Sequence, residues 1–154
     1  MRIRLNKKGF TLIELLIVVA IIGIIAAIAI PNLLNAIQRG KQKRTMADMR
    51  AIATSVEAYA VDNNKYPGGA SPITAITSVV SPKYIKVCPT VDAWTHTYDY
   101  VANPSGNAQT YTIRSYGKDG KDDGALGPGP TTDFNNDIVF STGSFLIYPE
   151  GAQQ

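Results

Sequence analysis

The sequence predicts an α+β protein: a long N-terminal helix, apolar and membrane-spanning in its first half and amphipathic in its second, with a small antiparallel β-sheet head and a long C-terminal loop. Three observations predict it. Leu15 to Ile30 is an unbroken run of apolar or glycine residues. Met46, Met49, Ile52, Ala53, Val56, Tyr59 and Ala60 recur at three- and four-residue steps, the spacing of one helix face. Beyond Pro82 the pattern shifts to an alternation of polar and apolar side chains between glycine- and asparagine-rich turns, which is the period of strands.

The first element is the apolar run, assigned to residues 10–31. A bilayer-spanning helix needs about 20 predominantly apolar residues, and Leu12 and Ile13 extend the run across Glu14 to that length. The run is too long for the apolar part of a secretory signal and has no small-x-small site followed by a polar start, so it reads as a retained anchor. Arg2, Arg4, Lys7 and Lys8 precede it, but Arg39, Lys41, Lys43 and Arg44 follow it, so flanking charge alone leaves its orientation near a tie.

Glu14 lies inside this run, where an ionised group at mid-membrane costs about 2.5–3.5 kcal/mol. Two readings stay open: a carboxylate near enough to the interface to reach water, or one that receives a partner from another chain. Cleavage after Gly9 would create an amino group on Phe10, four residues from Glu14 and on the same helix face. A pair formed between neighbouring chains in low dielectric would set register more than it adds net stability.

Pro31 lacks a backbone donor and clashes with the preceding turn, which predicts a bend or local unwinding at the end of the span. Helix resumes as the amphipathic segment 32–63 and stops at Asp62-Asn63-Asn64-Lys65-Tyr66-Pro67-Gly68-Gly69, a cluster of turn formers. The basic residues from Arg39 to Arg44 read as a solvated helix surface or as a contact with lipid headgroups. Residues 64–154 form the head, with a short helix over Ile73–Val80 and strands over 97–101, 111–115 and 145–148.

Residues 117–137 are the most distinctive stretch of the head. Asp119, Asp122, Asp123, Asp133, Asn135, Asn136 and Asp137 supply side-chain oxygens there, separated by Gly and Pro, in a loop too polar to pack a core. Calcium takes six to eight oxygen ligands, backbone carbonyls included, so the composition suits it. The spacing is not that of an EF-hand, and composition leaves a solvated acidic loop open against it.

Other chemistries find little support. Removing the four basic residues before Phe10 turns the formal net charge from +3 to −1, which gives no general electrostatic case for nucleic acid. Cys88 is the single cysteine, so no intrachain disulfide forms, and a small buried thiol is the plain reading. His96 is the single histidine, and no nucleophile–base set or phosphate loop accompanies it, so no enzyme is expected. The eight tyrosines read as packing side chains more readily than as a recognition surface.

Lys7-Lys8-Gly9-Phe10-Thr11-Leu12-Ile13-Glu14 resembles the leader junction of type IV pilins and type II secretion pseudopilins. The resemblance implies a leader of residues 1–9 cut after Gly9 by a prepilin peptidase, methylation of Phe10, Glu14 as the assembly glutamate, and Pro31 as the proline of the long helix. It also implies an inner-membrane, single-pass subunit with its head in the periplasm, which polymerises through its N-terminal helices on an assembly platform with an ATPase and minor pseudopilins.

In the head, Val61-Asp62-Asn63-Asn64-Lys65-Tyr66-Pro67, Tyr84-Ile85-Lys86, Asp92-Ala93-Trp94-Thr95, Ser115-Tyr116-Gly117-Lys118-Asp119-Gly120 and Asn136-Asp137-Ile138 are similar to stretches of the major pseudopilin. By that resemblance calcium is held by Asp119, Asn136 and Asp137, with carbonyls from residues 115–117; Asp122, Asp123 and Asp133 are further donors in the loop. The chain departs from the pattern where Ala93 and Thr95 replace a proline and a glycine and where Asn136 replaces a carboxylate. Its loop is also longer, and residues 141–154 pass the usual end. The rival reading is a true type IV pilin of a surface pilus; many of those carry a C-terminal disulfide, which one cysteine forbids.

Overall fold

The computed structural model describes residues 9–103, 106–124 and 127–151, so the basic residues before Gly9 lie outside the described residues. The chain divides into two compact units, Met1–Ile37 and Gln38–Gln154. Helix α1 (Leu12–Asn63) contributes its first part to one and its second part to the other.

In the first unit α1 carries the one stretch, among the described residues, that is long and apolar enough to cross a bilayer. Its large side chains are exposed throughout, from Leu12 at 75% to Ile37 at 45%. Helical geometry continues through Pro31, so of the two expected effects the local unwinding is not seen. One proline removes a single donor; the flanking Ile, Leu and Ala residues keep the remaining ladder intact.

In the second unit α1 turns a face of Met46, Met49, Ile52, Ala53 and Val56 into the core. Ile73, Ile76 and Val80 on and beside helix α2 (Thr74–Val80) join it, together with Tyr98, Tyr100, Tyr111, Ile113, Ile138, Phe140 and Phe145. Each such side chain contributes about 1.5–3 kcal/mol of burial. Three of the tyrosines, Tyr98, Tyr100 and Tyr111, are wholly inside, and each hydroxyl donates to a partner: Thr45 O, Pro67 O and Glu57 Oε1.

The sheet consists of β1 (Asp99–Asn103), β2 (Thr110–Ser115), β3 (Gly129–Thr131), β4 (Ile138–Ser141) and β5 (Ser144–Pro149), in the order β1-β2-β4-β5-β3. It is mixed rather than antiparallel, because β3 runs parallel to β5 at the edge. Both β3 and β4 escape the alternation pattern. In β3, Gly-Pro-Thr has no apolar period, and Pro130 is tolerated in an edge strand. In β4, Ile138, Val139 and Phe140 are buried consecutively beside a register shift. The turn between β4 and β5 is the two-residue Thr142-Gly143, both with positive φ, as a tight hairpin requires.

Candidate functional site

The N-terminal segment is the first candidate site. Gly9 and Phe10 precede α1 and are exposed, Phe10 by 74%. Thr11 caps the helix. Its Oγ1 accepts from the Glu14 N–H at 3.3 Å, while Glu14 Oε2 accepts from the Thr11 N–H at 2.8 Å and the Thr11 hydroxyl at 2.7 Å. This reciprocal Thr-x-x-Glu pair is a capping box, and it satisfies donors that the helix start would leave open. Thr11-Leu12-Ile13-Glu14 has the spacing of such a box in the sequence itself.

Asp92 organises the loop before β1. Its side chain is fully buried; Oδ1 accepts the Trp94 and His96 N–H groups, both at 2.9 Å, and Oδ2 accepts the Ser115 hydroxyl at 2.7 Å. Trp94 Nε1 donates to Gln38 at 2.8 Å, tying this loop to α1. His96 Nδ1 lies 3.0 Å from the Gly117 carbonyl, where the acidic segment begins. His96 thus joins the loop before β1 to the start of that segment.

Within residues 117–137 two stretches face each other. Lys118 N–H donates to Phe134 O at 2.9 Å, and a Cβ on Gly117, at φ +61°, would fall 2.2 Å from Asn135 O and 2.6 Å from Asn136 O. Only glycine fits there. Asp137 is 1% exposed and its Oδ1 has no hydrogen-bond partner. Its backbone N–H donates to Asp123 Oδ2 at 3.0 Å. Arg114 Nη1 lies 2.7 Å from Asp122 Oδ1 and 3.7 Å from Asp137 Oδ2. Burial pushes the Asp137 carboxyl up to about 6; the Asp123 charge adds to the rise and Arg114 opposes it.

The other nominated oxygens are engaged separately. Asp119 Oδ1 accepts from Lys121 N–H and Asp133 Oδ1 from Asn135 N–H, both as local turns on exposed residues. Asn136 turns its amide to the Thr131 hydroxyl. Among the described residues no three His, Cys, Asp or Glu side chains converge as a metal cluster. Asp137 Oδ1 is buried without a partner while the Asp137 N–H holds the Asp123 carboxylate, and these oxygens are of the type that a hard, oxygen-seeking cation takes.

An apolar helix preceded by an exposed Gly-Phe junction, leading into a small α+β head, defines the class of helix-anchored subunits that carry the prokaryotic N-terminal methylation motif, whose family model matches residues 4–30. The model of type II secretion system protein G matches residues 32–136, and the chain belongs to that family. It is 34% identical over 132 residues to the type II secretion system core protein G of Pseudomonas aeruginosa, spanning 79% of this chain and 91% of that protein. It is 39% identical over 101 residues to the major component of the type IV wide pilus of Thermus thermophilus, spanning 66% and 76%. A crystal structure of the major pseudopilin from the type 2 secretion system of enterohaemorrhagic Escherichia coli shares 26% identity at a TM-score of 0.48, over 71% of this chain and 93% of that one.

Proposed function

We propose that the chain is the major structural subunit of the periplasmic pseudopilus of a type II secretion system, and that it drives protein export by polymerising. The observation that carries this is a helix whose apolar side chains are exposed from Leu12 to Ile37, in a chain of the protein G family. Such a surface is stable in lipid or against like helices, and a filament subunit needs both states in turn. Prepilin peptidase cuts the exposed Gly9–Phe10 bond and methylates Phe10. Glu14 then exchanges its Thr11 donors for the amino terminus of a neighbour as an ATP-driven platform extracts the subunit, with minor pseudopilins as further partners. The head faces the periplasm.

Calcium belongs to the same reading. Asp137 and Asp123, with backbone carbonyls of the facing stretches, would hold the ion, which would supply the positive charge that two adjacent carboxylates require.

The test is deletion of the gene, followed by assay of exported proteins and of surface pili. Exported proteins retained in the cell while pili persist support the pseudopilus. Normal export with loss of pili supports the second reading, a surface type IV pilin, which the wide-pilus relative favours.

A further inference from the structure

We infer that Arg114 is a tethered cation of the acidic site: it holds Asp122 and Asp137 together when no metal is bound and competes with a metal ion for Asp137. The inference rests on the calcium reading for its second half only. Three observations carry it. First, Arg114 stands on β2, an interior strand paired with β1 and β4, with its guanidinium Nη1 2.7 Å from Asp122 Oδ1 and 3.7 Å from Asp137 Oδ2. It therefore bridges the loop, through Asp122, to the residue that leads into β4, through Asp137. Second, Asp137 is almost wholly buried, and a buried carboxylate without a counter-charge is strongly disfavoured. Third, the bridge is incomplete: Asp137 Oδ1, Arg114 Nε and, directly opposite Arg114 in the β1–β2 register, Asp99 Oδ1 are all buried without partners.

The charge balance explains why the bridge is provisional. Asp122, Asp123 and Asp137 stand against one guanidinium, so the site retains an excess of negative charge. A divalent ion at Asp137 Oδ1 would supply the missing charge, and it would repel Arg114 across the shared carboxylate. An arginine cannot lose its proton to relieve that repulsion. Metal affinity is therefore set below what the carboxylates alone would give, while the metal-free loop keeps its order.

The experiment uses the detergent-solubilised full chain, with melting followed by Trp94 fluorescence, in chelator and in millimolar calcium chloride. Wild type, Arg114→Met, Arg114→Lys and the double variant Arg114→Met/Asp137→Asn are compared, and calcium binding is measured by calorimetry. In chelator Arg114→Met melts lower than wild type by at least about 5 °C, the loss expected when a buried carboxylate is stranded. Arg114→Lys and the double variant recover most of it. Calcium restores Arg114→Met, stabilises it more than wild type, and binds it on the order of tenfold more tightly, as expected when a competing charge is removed.

A wild-type melt for Arg114→Met in chelator overturns the inference whatever calcium does. Equal calcium affinity in the two chains overturns the competition and leaves calcium binding standing. Calcium heat absent from every chain overturns both the competition and the calcium reading.

Discussion

On one continuous helix, Met49, Ile52 and Val56 are fully buried, whereas Leu12, Ile24 and Ile28 remain 75%, 64% and 67% exposed. The first three belong to a unit that satisfies itself: its apolar side chains face a sheet of its own chain, and its buried tyrosines find acceptors within it. The second three belong to a stretch that satisfies its backbone and almost nothing else. Helical hydrogen bonds make such a segment permissible in lipid, but its surface is completed only by what surrounds it. Stability is thus built into the head, while assembly is left to the helix. Damage to one should therefore leave the other nearly untouched.

The sharpest way to break that separation is Glu14→Ala. Filaments should be lost almost entirely, while the head keeps its melting temperature, because the capping box that disappears is worth only about 0.5–2 kcal/mol at the far end of α1. Electron microscopy of membranes and a circular-dichroism melt test it together. Abundant filaments from this variant would end the assembly role of Glu14. The converse variant is Tyr111→Ala, which opens a cavity beside Tyr66, Tyr100 and Phe140 and strands Glu57. It should cost about 3–5 kcal/mol, yet leave membrane insertion unchanged. Loss of insertion would show that the two regions are coupled.

A third variant sharpens the picture of the head alone. An unfolded aspartate releases its proton near pH 4, whereas folded Asp137 holds it to about 6. Between those values the folded chain binds the extra proton, so this group lowers stability as pH rises, by on the order of 3 kcal/mol in full. In chelator the melting temperature of wild type should accordingly fall, relative to that of Asp137→Asn, on going from about pH 4 to about pH 6. Parallel pH profiles for the two chains would remove Asp137 as the source.

How much of this was legible in the sequence depended on whether a signal was local. The apolar run, the helix stripe and the Gly-Phe junction are contiguous patterns, and the structure places an exposed helix, a buried face and an exposed junction at those positions. Strands β1, β2 and β5 lie within two residues of where alternation put them. By contrast β3 is defined by its partner β5, and β4 by burial on successive residues, so neither shows a period. The oxygen-rich loop was visible as composition. Which oxygens meet was not, because Arg114 comes from β2, and the turns of Asp119 and Asp133 are decided by neighbouring N–H groups.

Thr95 carries the smallest predicted effect and shows that even the self-sufficient region is not optimised. It has φ +77°, a conformation that a β-branched residue adopts only under constraint. The constraint is plain: Asp92 O accepts the Thr95 N–H at 3.1 Å, and Asp92 Oδ1 grips the residues on either side, Trp94 and His96. Glycine, with no Cβ to clash, suits the positive φ. Thr95→Gly should relieve the strain of about 1–2 kcal/mol and lose part of it to the greater freedom of glycine in the unfolded chain. The net expectation is a gain of roughly 0.5–1 kcal/mol, or a few degrees in melting temperature, with filament assembly unaffected. A lower melting temperature would mean that the exposed Thr95 side chain contributes more than its backbone costs, and that the loop gripped by Asp92 owes its shape to the threonine.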